Sequence, residues 1–84
     1  MNIYKVAMYY YDTLPENDSY MEEINTQYFK SPIFASVYAE NLVKEHHVEY
    51  TEPKDKNTYP VIYQNLNYGG IEHIIKIEEI RLSD

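Results

Sequence analysis

The first hydrophobic pattern in the chain has a period of two. Between Ile3 and Tyr11, Tyr4, Val6, Met8 and Tyr10 share one face, and Ile3, Lys5, Ala7, Tyr9 and Tyr11 share the other. Successive side chains of a strand point to opposite faces, so the segment predicts a β-strand. Lys5 sets the start of the odd face toward water, which leaves the even face for the core. Thr13-Leu14-Pro15-Glu16-Asn17-Asp18-Ser19 is a loop by composition. Tyr20 to Phe29 predicts a second strand pairing back on the first, although Met21 to Asn25 also tolerates a helical turn.

At Ser31-Pro32 the period changes. A serine hydroxyl can accept a backbone N–H as N-cap, and proline at the first helical position has no N–H to leave unpaired. The predicted helix covers about 32–47. Ala35, Tyr38, Ala39, Leu42 and Val43 recur at helical spacing, with Phe34 and Val37 beside them, while Ser36, Glu40 and Lys44 form the wet side. Lys44, His46 and His47 near its end suit the helix dipole.

Val48 to Glu52 reads as a short strand and Pro53 to Asn57 as a charged turn. Tyr59 to Leu66 is strand-like, with Pro60 confining it to an edge or a strand start. Asn67-Tyr68-Gly69-Gly70 reads as a hairpin turn. Ile71 to Leu82 is β-rich but slips in phase, Ile75 and Ile77 against Ile80 and Leu82. A bulge near Glu78-Glu79 would put all four on one side. A C-terminal helix using Ile71, Ile74, Ile75 and Leu82 is the alternative. The element order predicts an α+β fold, a small two-layer sandwich in one domain spanning 1–84. One main helix (about 32–47) packs on an antiparallel sheet.

Composition narrows the setting. A chain of 84 residues has a thin core, since such a length buries only roughly 60–65% of its unfolded surface. Its hydrophobic fraction of 44% is still enough to fold. Tyrosine supplies 11 aromatic residues against two phenylalanines; it buries a ring while keeping its hydroxyl wet, so it serves core and contact surface together. With no cysteine there is no disulfide framework and no thiolate metal site, which fits a reducing compartment. The N-terminus lacks signal-peptide features, and no segment approaches the ~20 apolar residues of a membrane span. A cytoplasmic protein is expected.

Charge carries the functional information. The formal net charge is −7. Between Lys5 and Lys30 there is no Lys or Arg, but there are Asp12, Glu16, Asp18, Glu22 and Glu23, with Tyr9, Tyr10, Tyr11, Tyr20 and Tyr28 among them. Nucleic-acid binding draws on phosphate neutralisation by basic residues, so direct binding is not expected. A solvated surface that keeps a small protein soluble is one reading of these acids. The sharper reading is a surface complementary to a basic cleft. Carboxylates two apart on a strand lie ~6.6–6.8 Å apart on one face, comparable to phosphate spacing along a nucleic-acid strand. Tyrosine is a favoured hot-spot residue, and a one-sign field speeds docking. The expected partner-binding residues are Tyr11, Asp12, Glu16, Asp18, Tyr20, Glu22 and Glu23, with Tyr11 and Tyr20 as anchors.

Candidate chemistry is thin. His46 and His47 are helix neighbours about 100° apart and cannot chelate as an i, i+4 pair could. His73, isolated in an Ile-rich segment, reads as half-buried. Asp12, Glu16 and Asp18 lack the alternating ligands, central glycine and terminal glutamate of a calcium loop. Ser19, Ser31, Ser36 and Ser83 carry no nucleophile motif. Gly69-Gly70 opens no helix and lacks a phosphate-loop Lys-Ser/Thr. Glu22-Glu23 and Glu78-Glu79 are sequence neighbours that a strand would turn to opposite faces, which defeats a two-carboxylate mechanism. No catalytic, cofactor or metal site is expected, and the chain reads as non-enzymatic.

In size, acidity, richness in Tyr, Asn, Ile and Lys, and lack of an enzymatic motif, the whole chain resembles small proteins encoded by phages and mobile elements of low-GC Gram-positive bacteria. Anti-CRISPR and anti-restriction inhibitors belong to that class. The resemblance implies an inhibitor in the cytoplasm of an infected or lysogenic host. It would contact a protein partner, such as a CRISPR-associated or other host nuclease, through an acidic surface and act as a nucleic-acid mimic. A structural phage protein is a further expectation. Ile3-Tyr4-Lys5-Val6, a middle helix and Val48-Glu49-Tyr50 are locally similar to the epsilon subunit of RNA polymerase of the same bacteria. That likeness implies a small accessory subunit. The 53–70 segment is longer than in that family, and only Thr26 and Tyr28 echo its middle.

Overall fold

In the computed structural model the described residues are 1–12, 20–45, 50–66 and 71–83, with the backbone alone described at Tyr11, Asp12, Tyr20, Met21, Leu66, Ile71 and Glu72. The elements are β1 (Asn2–Asp12), β2 (Tyr20–Phe29), α1 (Pro32–Glu45), β3 (Val61–Leu66) and β4 (Ile71–Arg81). The strands form one four-stranded sheet in the order β2-β1-β4-β3, with every neighbouring pair antiparallel. The helix packs on one face, which makes the fold a small α+β two-layer arrangement.

The helix start follows the sequence. Ser31 Oγ accepts the Phe34 N–H at 3.4 Å, and the Ser31 carbonyl accepts the Ala35 N–H at 3.1 Å. The first contact satisfies a donor that a helix N-terminus otherwise leaves open, and the second is the first bond of the helical ladder. Ala35, Ala39 and Leu42 are buried. The two alanines let the helix approach the sheet closely, and Val6, Met8, Val61, Tyr63, Ile75 and Ile77 complete the buried core. Tyr4, Tyr10, Tyr38 and Val43 pack around its margin. The even face of β1 therefore enters the core as its period predicted.

Three expectations need correction. First, β4 is a strand, so the alternative C-terminal helix is excluded. It also has no bulge at Glu78-Glu79, because its pairing with β1 is continuous from Asn2↔Arg81 to Asp12↔Ile71. Ile75 and Ile77 enter the core, and Ile74 and Ile80 lie half-buried on the opposite face. Among the described residues no second layer covers that face, so the phase slip needs no structural repair. Second, the bulge lies in β2. Its register passes from Val6↔Gln27 to Met8↔Ile24, and Asn25 there has φ 56°. Asparagine tolerates this left-handed region better than most residues. The shift lets Ile24 and Phe29, which have opposite strand parity, both pack against the core. Third, Phe34 and Val37 do not line the core. They are 64% and 51% exposed, beside Ile33 at 72%.

The helix is described to Glu45; His46, His47, Val48 and Glu49 lie outside the described residues. Of the short strand expected around Val48 to Glu52, Thr51 forms an isolated antiparallel bridge with Gln64. Asp55 organises the following turn by accepting the Asn57 N–H at 2.8 Å and the Thr58 hydroxyl. Pro60 precedes the edge strand β3, as its missing N–H requires. The Asn67–Gly70 turn lies outside the described residues, but β3 and β4 pair up to Leu66↔Glu72 on either side of it.

Candidate interaction surface

The register gathers much of the acidic, tyrosine-rich segment at one end of the sheet. Asp12 pairs with Tyr20 on one side and Ile71 on the other; Tyr11 pairs with Met21 and Glu72. Tyr10↔Glu22 and Tyr9↔Glu23 follow in the same ladder. Backbone pairing thus brings Tyr11, Asp12, Tyr20, Glu22 and Glu23 together. Glu16 and Asp18 lie in the connection between the paired ends Asp12 and Tyr20, outside the described residues.

The two adjacent glutamates differ in what they offer. Glu22 shares its face with Tyr10, toward the helix side, and is exposed. Glu23 shares the open face of the sheet with Tyr9 and is engaged there. Lys5 Nζ lies 2.7 Å from its Oε1, and the Tyr9 hydroxyl donates to the same oxygen at 2.9 Å. The Lys5 contact, then the Tyr9 hydrogen bond, hold the Glu23 carboxyl below the usual carboxylate range. The same ion pair raises the Lys5 ammonium above its ordinary value. Burial, then the bond to Glu23, push the Tyr9 phenol up to about 12. Lys76 completes the cluster, 5.0 Å from the Tyr9 ring centre and 2.7 Å from Glu78 Oε1.

This network explains a departure from the sequence reading. The odd face of β1 begins with half-buried Ile3 and Lys5, yet Ala7 and Tyr9 are buried although the helix covers only the other face. Glu23 and Lys76, from the strands on either side, contact Tyr9. Lys5, Lys76 and also Lys56, 3.2 Å from Glu40 Oε1, are paired with carboxylates. Of these, Lys5 and Lys76 lie on the sheet's open face, so their charge is locally balanced there, whereas Lys56 pairs on the helix side.

Sequence reasoning missed the exposed stripe Ile33, Phe34 and Val37 on the outer side of α1. The signal was present: these residues fall at i, i+1 and i+4, roughly opposite the Ala35-Ala39-Leu42 seam. Apolar residues on two sides of one helix cannot all face a single sheet. Among the described residues there is no group of three or more His, Asp or Glu placed to hold a metal ion. None of the described helices is long and apolar enough to cross a membrane.

No protein-family model, curated protein or solved structure matches this chain.

Proposed function

We propose that this chain is a non-enzymatic acidic binding protein that blocks a basic, nucleic-acid-binding surface of a protein partner. The observation that carries the reading is the charge distribution on the hairpin. Five carboxylates fall between Asp12 and Glu23 with no Lys or Arg among them, and Asp12 and Tyr20 pair side by side at one end of the sheet. Glu16 and Asp18 fall in the sequence between these two paired positions. Glu23 is committed to Lys5 and Tyr9, so it acts chiefly by orienting the hairpin face. A nuclease or nuclease complex with a groove for nucleic acid has the complementary chemistry.

Affinity purification from the native host followed by mass spectrometry identifies the partner, and charge reversal then tests the surface. Rim carboxylates act mainly through association rate, while truncating one partner of a desolvated charge pair costs about 2–5 kcal/mol. Reversing Glu16, Asp18 and Glu22 together should weaken capture at least about tenfold and leave thermal unfolding nearly unchanged. Reversing Glu49, Glu52 and Asp55 should matter less, because Lys44, Lys54 and Lys56 offset that cluster in sequence. Loss of capture with the second set alone would overturn the reading. Co-purification with RNA polymerase, with nuclease activity untouched, would replace it with an accessory-subunit role.

A further inference from the structure

The sheet has a stretch of edge that β3 does not cover. β4 pairs with β1 over its whole length, to Arg81, whereas β3 pairs with β4 only from Glu72 to Ile77. β3 begins at Val61, and Pro60 before it has no N–H with which to extend the ladder. On that side, Glu78 to Arg81 meet no backbone partner among the described residues. Residues of an antiparallel strand direct N–H and C=O to alternate sides, so about two of these residues present unpaired groups outward.

A cavity of about 440 Å³ lies beside this edge, lined by Tyr59, Pro60, Lys76, Glu78 and Glu79. Glu79 shares the helix-side face with Tyr4 and accepts its hydroxyl hydrogen bond at 3.2 Å. The rings of Tyr4 and Tyr59 stand 5.3 Å apart, tilted by 46°. An exposed carboxylate set against two aromatic rings attracts a cation both by charge and by the ring faces. Glu78 is already paired with Lys76, which leaves Glu79 as the carboxylate that an incoming cation would meet.

We propose that this notch accepts an extended peptide segment from a partner protein, added as a short strand on β4. An Arg or Lys side chain of that segment sits against Glu79, Tyr4 and Tyr59. Unpaired edge groups are the ordinary template for strand addition, with side-chain pockets supplying the specificity. The site is separate from the acidic hairpin end. It adjoins the start of β1, and the 11 residues of β1 set the two ends roughly 30 Å apart at the rise of a strand. A four-residue edge offers few hydrogen bonds, so a short probe binds weakly, in roughly the high-micromolar to millimolar range.

The test is a titration of the ¹⁵N-labelled chain with a blocked pentapeptide of alternating valine and arginine. The expected result is amide shifts confined to Glu78–Arg81 and Tyr59. Affinity should fall at least about tenfold for Glu79→Lys, and for a peptide N-methylated at its edge-facing residues. Glu79 is exposed, so the variant should keep the wild-type spectrum away from the notch, which separates lost binding from lost folding. Several results would overturn the proposal. They are silence at Glu78–Arg81 up to millimolar peptide, equal binding of the N-methylated probe, or shifts centred on Tyr20–Glu23. Concentration-dependent shifts at the notch without peptide would also overturn it, by assigning the edge to a second copy of the chain.

Discussion

Tyr9 and Tyr50 are both tyrosines whose phenols are pushed up to about 12, and they should respond oppositely to loss of the hydroxyl. Tyr9 donates to Glu23, so Tyr9→Phe removes one net hydrogen bond and should cost about 1 kcal/mol in denaturant unfolding. The Tyr50 hydroxyl is buried and has no hydrogen-bond partner among the described residues. Tyr50→Phe relieves that desolvation and should be neutral or stabilising. The two phenols also set an alkaline limit. Burial is the first cause of both shifts, and a free phenol ionises near about 10. A raised folded value means their contribution is complete below about pH 10 and is lost as pH rises through about 12. Tyrosinate absorbance should therefore develop in two stages, the late stage coinciding with loss of structure. Two-stage ionisation with the fold intact well above that range would contradict the assignment. Neither shift was legible in the sequence. The burial of Tyr9 depends on Glu23 and Lys76, which reach it only through the register of three strands.

At the scale of elements, what could be read was whatever one period and one cap decide. The even face of β1 and the Ser31-Pro32 start each follow from local rules, and both place their residues as expected, whereas the burial of Ala7 and Tyr9 on the odd face did not follow from the alternation. The position of the bulge was harder, because it depends on how β2 must shift to put Ile24 and Phe29 on one side. Asn25 gives a test of it. Its carbonyl accepts the Tyr38 hydroxyl at 2.9 Å, so the helix clamps the bulge. Asn25→Gly keeps the left-handed conformation accessible and should change stability by less than about 1 kcal/mol. Asn25→Val forces a β-branched residue into that region and should cost about 1–3 kcal/mol. Similar losses in the two variants would show that the positive φ is not what the site demands. The two faces of α1 make a parallel contrast. Ala39 is fully buried, and Ala39→Leu should destabilise by about 1–3 kcal/mol through overpacking. Phe34→Ser and Val37→Ser, on the exposed stripe, should stay within about 0.5 kcal/mol of wild type. The sequence reading merged these faces because it counted apolar residues without asking how wide a stripe one sheet can cover.

For the whole molecule, charge predicts how it meets nucleic acid. Binding to a duplex releases counterions in proportion to the phosphates that basic side chains neutralise. The chain has seven Lys and Arg against 14 Asp and Glu, and Lys5, Lys56 and Lys76 are each within ion-pair distance of a glutamate. Offering those lysines to phosphate would mean breaking pairs whose carboxylates then face the same backbone. Repulsion between like charges grows as salt is removed, since the screening length increases from about 8 Å at physiological ionic strength to about 30 Å at 0.01 M. Lowering salt should therefore fail to produce binding, opposite to the behaviour of a masked basic site. Mobility-shift and filter assays with duplex and single-stranded probes should show no complex at micromolar protein, at physiological or low salt. The same protein should bind its basic partner faster as salt is lowered, because the steering field is then less screened. Micromolar nucleic-acid binding that strengthens on dilution of salt would mean that the arrangement of charge, and not its sum, governs this surface. It would also remove the main support for a partner that carries the basic groove.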